Sequence, residues 1–186
     1  MIADVNSNNQ SSNINNLTRV GTTANYVFSS NDGIHGEELW VTDFTTAGTH
    51  MVRELQTGTE NSGQSSPHQF YAAGNKVFFK AFSDATGWEL WVTDGTSVGT
   101  RMYDLNTFGG GITNNPVGAG TNMVWSANDG LQADGKHGDE LWVSNGTAAG
   151  TSLVDINQAS WYNGGNSYPS GFTKNGNLTF FSARNA

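Results

Sequence analysis

Glu38-Leu39-Trp40-Val41-Thr42-Asp43 returns as Glu89-Leu90-Trp91-Val92-Thr93-Asp94 and again as Glu140-Leu141-Trp142-Val143-Ser144-Asn145. The spacing is 51 residues both times (90 − 39 and 141 − 90). Within each copy, side chains alternate across an extended chain, so Leu39 and Val41 point one way and Trp40 the other. Both sides are apolar. Such a strand is covered on both faces, unlike the half-polar strand of a solvent-facing sheet.

Working outward, the Gly-Thr pair keeps the same register as Gly48-Thr49, Gly99-Thr100 and Gly150-Thr151. Each unit reads as four short strands. In the second unit they are expected at His68–Ala73, Lys76–Phe82, Trp88–Thr93 and Thr100–Leu105. Gly74-Asn75 and Ser83–Gly87 supply the turns, and Asp94-Gly95 opens the loop before the fourth strand. Asp-Gly beside alternating apolar residues is a strong hairpin signal.

The first six residues match a fourth strand, and Asn177–Ala183 matches a second strand. The expected divisions are therefore a preceding fourth strand plus polar link over 1–15, unit 1 over 16–56, unit 2 over 67–106, unit 3 over 116–157, and a partial unit 4 over 168–186. The fold class that follows is all-β: tandem four-stranded antiparallel units, with the length and two-sided burial of β-propeller blades.

The second unit carries Glu89-Leu90-Trp91-Val92-Thr93-Asp94-Gly95-Thr96, which resembles the signature of the ELWxxDGT repeat family of large bacterial proteins. The first unit departs at Phe44, where glycine is expected, and the third has Asn145 for Asp. The resemblance covers nearly all the chain from Leu17 onward. It implies propeller blades in secreted or cell-surface proteins and no defined catalytic chemistry.

Charge narrows the partners. The 186 residues carry a net charge of −8, with eight Lys plus Arg spread along the chain. Nucleic-acid binding needs a basic stripe to displace counterions, and there is none. An anionic membrane surface is excluded on the same ground. No apolar run approaches the roughly 20 residues that span a bilayer, so membrane insertion is not expected. Zero cysteines remove disulfides, thiolate metal sites and cysteine nucleophiles. Charged residues make up 13%, about half the roughly 25% usual in globular proteins. Met1 precedes a polar Asn/Ser stretch and not a signal peptide, consistent with a piece of a longer protein.

Three groups of residues could carry chemistry. The turn before the third strand, Asp32-Gly33-Ile34-His35-Gly36-Glu37-Glu38, resembles Asp134-Gly135-Lys136-His137-Gly138-Asp139-Glu140, with a shorter Asp84-Ala85-Thr86-Gly87-Trp88-Glu89 between them. Asp32, Glu38, Asp84, Glu89, Asp134 and Glu140 could gather oxygens around calcium. The competing reading is structural: Asp caps the turn and Glu accepts backbone N–H groups. His35 and His137 read as exposed loop histidines without a zinc pattern. Trp40, Trp91 and Trp142 read as packing between units, ahead of a sugar-stacking row.

The residues that do not repeat lie in the links Thr57–Ser66, Thr107–Asn115 and Gln158–Ser167, which hold Phe108, Trp161 and Tyr162. In an up-and-down unit the links emerge beside the turn between second and third strands. Phe108, Trp161, Tyr162, His35 and His137 then form a candidate ligand face suited to polysaccharide or a surface protein. The expected function is a non-catalytic extracellular propeller segment, structural, adhesive or ligand-recognising. The alternatives are a propeller-scaffold enzyme such as a glycoside hydrolase or lyase, and a purely structural subunit of a larger assembly. Open strand edges at the incomplete unit imply other copies or flanking repeats as partners.

Overall fold

The computed structural model describes residues 4–6, 8, 10–57, 64–105, 111–112, 116–129, 137–158, 165–176 and 178–185. Among these residues every regular element is a strand, and no helix is long and apolar enough to cross a membrane.

The strands form three four-stranded sheets and one hairpin, each an antiparallel meander in chain order. Unit 1 is β1 (Asn15–Arg19), β2 (Tyr26–Asn31), β3 (Glu37–Thr42) and β4 (His50–Arg53). Unit 2 is β5 (His68–Ala73), β6 (Lys76–Ser83), β7 (Gly87–Thr93) and β8 (Arg101–Tyr103). Unit 3 is β9 (Val117–Ala119), β10 (Asn122–Asn128), β11 (Asp139–Ser144) and β12 (Thr151–Val154). The hairpin is β13 (Ser170–Asn175) and β14 (Leu178–Ser182). Residues 4–6 form no strand, so the fourth strand expected over Met1–Asn6 is not seen in its described part.

Register fixes which residues correspond. Phe28 pairs with Trp40, Phe79 with Trp91 and Trp125 with Trp142. Their ring centroids lie 6.4, 6.3 and 6.5 Å apart. This face of each unit, here called leading, looks toward the lower-numbered neighbour; the trailing face looks toward the next. Leu39, Val41, Val52 and Leu55 on the trailing face of unit 1 form one core with Val77, Phe79, Ala81 and Trp91 on the leading face of unit 2. Phe78, Leu90, Val92 and Leu105 of unit 2 form a second core with Met123, Trp125 and Ala127 of unit 3. In unit 2 the two-sided apolar strand β7 therefore buries each side against a different neighbour. Trp40 and Trp91 are buried and Trp142 is half-buried.

The loop after the third strand is built identically three times. Asp94 Oδ1 accepts the Thr96 N–H at 3.0 Å and hydroxyl at 2.7 Å, and Thr96 Oγ1 accepts the Gly99 N–H at 3.0 Å. Asp43 and Asn145 do the same for Thr45 and Thr147. A Cβ at Gly48, Gly99 or Gly150 would overlap that Asp or Asn side chain, which explains the recurring glycine. Gly95 and Gly146 take φ of 86° and 76°, and Phe44 holds the same left-handed conformation at 66°.

Candidate functional site

Among the largest fully buried side chains of the described residues, the polar ones are the glutamates near the start of each third strand. Glu38, Glu89 and Glu140 are fully buried. Leu55 N–H donates to Glu38 Oε2 at 2.9 Å, Ser65 N–H to Oε1 at 3.1 Å, and Ser65 Oγ to Oε2 at 2.7 Å. Glu140 repeats this with Ile156 N–H at 3.0 Å, Ser167 N–H at 2.9 Å and Ser167 Oγ at 2.6 Å. Glu89 receives Leu105 N–H at 3.3 Å and Gly111 N–H at 2.9 Å.

Each of these carboxyls joins two units. Ser65 lies in the link just before unit 2, and its carbonyl accepts Phe82 N–H of β6 at 2.8 Å. Gly111 and Ser167 likewise accept from Asn128 at 2.9 Å and Arg184 at 2.7 Å, and Ser12 from Asn31 at 2.8 Å. Glutamate, link residue and the next second strand make one chain of hydrogen bonds. Burial pushes Glu38 up to about 7 and Glu89 up to about 8, against the N–H donors that pull the other way.

The turn carboxylates are occupied differently. Asp32 Oδ1 accepts Ile34 N–H at 2.9 Å and His35 N–H at 2.8 Å, while Oδ2 meets His35 Nδ1 at 2.6 Å. Burial raises the Asp32 carboxyl, but those bonds outweigh it and leave it below the usual carboxylate value. The bond to Asp32 raises His35. The histidine is thus partly exposed and ion-paired, beyond the plain loop residue expected from sequence.

In unit 3 the partner of His137 is Asp129, at 2.9 Å between Nδ1 and Oδ2. The strand register aligns Asn128 with Asn31, so Asp129 is the counterpart of Asp32. The sequence alignment had matched Asp134, which falls outside the described residues. A usable signal was present: Asn31-Asp32-Gly33 recurs as Asn128-Asp129-Gly130, followed by a five-residue insertion (137 − 129 against 35 − 32).

Asp84 aligns by register with Gly33 and not with Asp32. It is exposed. Its Oδ2 accepts Gln56 Nε2 at 2.7 Å while its N–H donates to Gln56 Oε1 at 2.9 Å, tying the end of unit 1 to the turn of unit 2. The six carboxylates named for calcium are therefore not one type of site. The described ones hold backbone donors, a histidine and an amide. Among the described residues no group of three His, Cys, Asp or Glu is placed to hold a metal ion.

Sequence reasoning also passed over Ser65 and Ser167, each 27 residues after its glutamate (65 − 38 and 167 − 140). Gln64-Ser65-Ser66-Pro67 and Asn166-Ser167-Tyr168-Pro169 are the signal that marks them.

Among the described residues, two surfaces at opposite ends of the units bear on ligand binding. On the side of the second-to-third turns, Asn8 Nδ2 donates to Gly33 O at 3.0 Å, and Asp139 N–H donates to Asn166 Oδ1 at 2.7 Å. Links and turns thus share that side, with His35 and His137 on it. Phe108, Trp161 and Tyr162 lie outside the described residues. At the opposite end a groove of about 390 Å³ runs between units 1 and 2, edged by Asn25, Asp43, His50, Thr96 and Ser97. Its counterpart between units 2 and 3 is filled by Lys76, whose Nζ donates to Gly146 O at 2.6 Å. The sequence did not flag this groove, because it arises where Asn25 stands at the position of Lys76.

Comparison with family models, curated proteins and solved structures returned no match.

Proposed function

We propose that this chain is a non-catalytic segment of an extracellular β-propeller of the ELWxxDGT repeat type, its 51-residue units acting as blades. Its role is structural or adhesive, through recognition of polysaccharide or another surface protein. One observation carries the reading. The glutamate that recurs in every complete unit directs its oxygens at the neighbouring link, so the repeated acidic residue holds units side by side. Recognition then falls to residues that differ between units, the aromatic links foremost.

The test is binding of the chain to immobilised polysaccharides and bacterial surface proteins. A double substitution of Trp161 and Tyr162 by alanine is expected to abolish binding, while Ser97→Trp, which plugs the opposite groove, leaves it intact. The reverse outcome moves the site to the groove. Release of reducing or unsaturated sugar ends from the polysaccharide would replace the binding module with an enzyme.

A further inference from the structure

The two packed contacts between complete units use equivalent strand positions, and they differ at one corner. Register aligns Asn25 with Lys76 and His50 with Arg101. The 51-residue period aligns Val52 with Tyr103. Each unit 1 residue is the smaller of its pair. Between units 2 and 3, Lys76 reaches across to the loop of unit 3, where its Nζ donates to Gly146 O at 2.6 Å. Tyr103 packs against the core of that contact. Between units 1 and 2 the same corner is the groove of about 390 Å³, lined by Asn25, His50, Val52 and Gly95 among others.

The path of the lysine can be compared at the two glycines. A Cβ built on Gly146 would lie 2.5 Å from Lys76 Cδ and 3.1 Å from Nζ. A Cβ on Gly95, the counterpart of Gly146, would meet only Val20 and Val41 methyl carbons, at 3.7 Å. The two loops have the same build, with left-handed glycines whose N–H groups are held by Thr93 and Ser144. Gly95 O is therefore the same carbonyl that takes an ammonium in the second contact, and the floor beside it is apolar.

Charge favours the same group. Where unit 2 sets Lys76 and Arg101, unit 1 sets Asn25 and His50, yet Asp43 stays on the rim. Ser97, in place of Ala148, adds a hydroxyl acceptor to the lining. A charge-assisted hydrogen bond to a carbonyl, with methylenes laid on apolar carbons, is how a lysine side chain is accommodated.

We propose that this groove binds a primary ammonium group at the end of a straight alkyl chain, the chemistry of a lysine side chain or of a free aliphatic amine. The ammonium donates to Gly95 O, Asp43 supplies the opposing charge, and the methylenes lie against Val20 and Val41. Unit 2 carries its own arm for the loop of unit 3; the loop of unit 2 takes one from outside. The inference stands apart from the aromatic links, since neither Trp161 nor Tyr162 takes part.

Heteronuclear NMR titration of the 186-residue chain with n-pentylamine and with Nα-acetyl-lysine N-methylamide tests it. The amines are expected to shift the Gly95 and Thr96 amides saturably, whereas pentanol and hexanoate are not. Tighter binding of the acetylated lysine assigns the site to a lysine within a peptide; equal or weaker binding assigns it to free amines. Asn25→Lys, which gives unit 1 the arm of unit 2, is expected to weaken binding about tenfold or more, the scale of one charge-assisted hydrogen bond. Ser97→Trp serves as a second block should Asn25→Lys fail to fold. Replacing Trp161 and Tyr162 by alanine leaves amine binding intact, so the groove and the aromatic links fail or succeed separately. No saturable shift with either amine overturns the proposal. So does equal binding of pentanol, or amine binding that survives both blocks.

Discussion

At the residue scale, the buried glutamates with His35 and the turn aspartates set opposing pH dependences. Stability rises with pH only where the unfolded chain binds more protons. Glu38 and Glu89 are held at about 7 and about 8 against an ordinary 4.5, so the folded state binds more, and their contribution is lost as pH rises through that window. His35, raised above 6.5, adds a loss in the same direction as pH climbs through its folded value. Asp32 and Asp43 sit below 3.8, and their contribution is lost as pH falls beneath it. The melting temperature is therefore expected to peak near pH 4 to 5, about the gap between the two sets. Calorimetry across pH checks this. Glu89→Gln should flatten the alkaline limb, and an optimum above pH 7 would refute the assignment. Phe44 adds a second residue-scale expectation. A left-handed non-glycine costs about 1–2 kcal/mol, and glycine loses roughly 0.5–1 kcal/mol to chain entropy. Phe44→Gly should then gain about 0.5 kcal/mol of monomer stability, net of those two figures, whereas Gly95→Ala should lose stability in denaturant titration. The unusual Phe44 was visible in the sequence as a broken motif; its backbone strain was not, because φ is set by the loop its neighbours build.

At the element scale, the third strand carries the packing. Trp91 is buried against unit 1 and its indole N–H meets no acceptor among the described residues. Trp91→Ala should cost about 3–5 kcal/mol, as for large aromatics truncated in cores. Trp91→Phe should cost much less, since it keeps the ring on Phe79 and removes a buried unpaired donor. Equal losses for the two would show that the indole N–H matters. The loop glycine is a separate test. Gly99→Ala drives a methyl into the Asp94 carboxylate and should lower the melting temperature, while Val98→Ala, at a fully solvated neighbour, should not. The first three unit 2 strands were legible almost residue for residue, because His68–Ala73 and Lys76–Ser83 are bounded by Gly74-Asn75 and by a glycine at 87, whereas the fourth, expected over Thr100–Leu105, spans only Arg101–Tyr103. The turn chemistry was less so. Asp129 was missed because an insertion separates it from His137, and Asp84 was misaligned because the two turns are of equal length and Ser83, not Asp84, stands at the Asp32 position.

At the scale of the whole molecule, far-ultraviolet circular dichroism should show less than about a tenth helix, given an all-β chain. EDTA should leave the melting temperature unchanged, because the described turn carboxylates already hold N–H donors, a histidine or an amide. A fall reversed by calcium would place a cation among them. Stability in a stacked array is the sum of units and their nearest-neighbour contacts. Unit 2 has both faces covered, so its amides should exchange most slowly with solvent, and those of β13 and β14 fastest. That asymmetry was only partly readable from sequence. The repeat announced the units, but which faces go uncovered depends on how the sheets stack.

The glutamate-to-link hydrogen bond also bears on how such a chain can change length over generations. Its donor and acceptor lie well inside one 51-residue period, 27 residues apart for Glu38 and Glu140 and 22 for Glu89. Misaligned recombination between two copies of the gene, in register but one period out, inserts or deletes a whole unit wherever the breakpoint falls. After either event each glutamate still finds a link residue downstream, 27 positions on for Glu38 and Glu140 and 22 for Glu89. The bond itself then needs no compensating second substitution when repeat number changes one unit at a time.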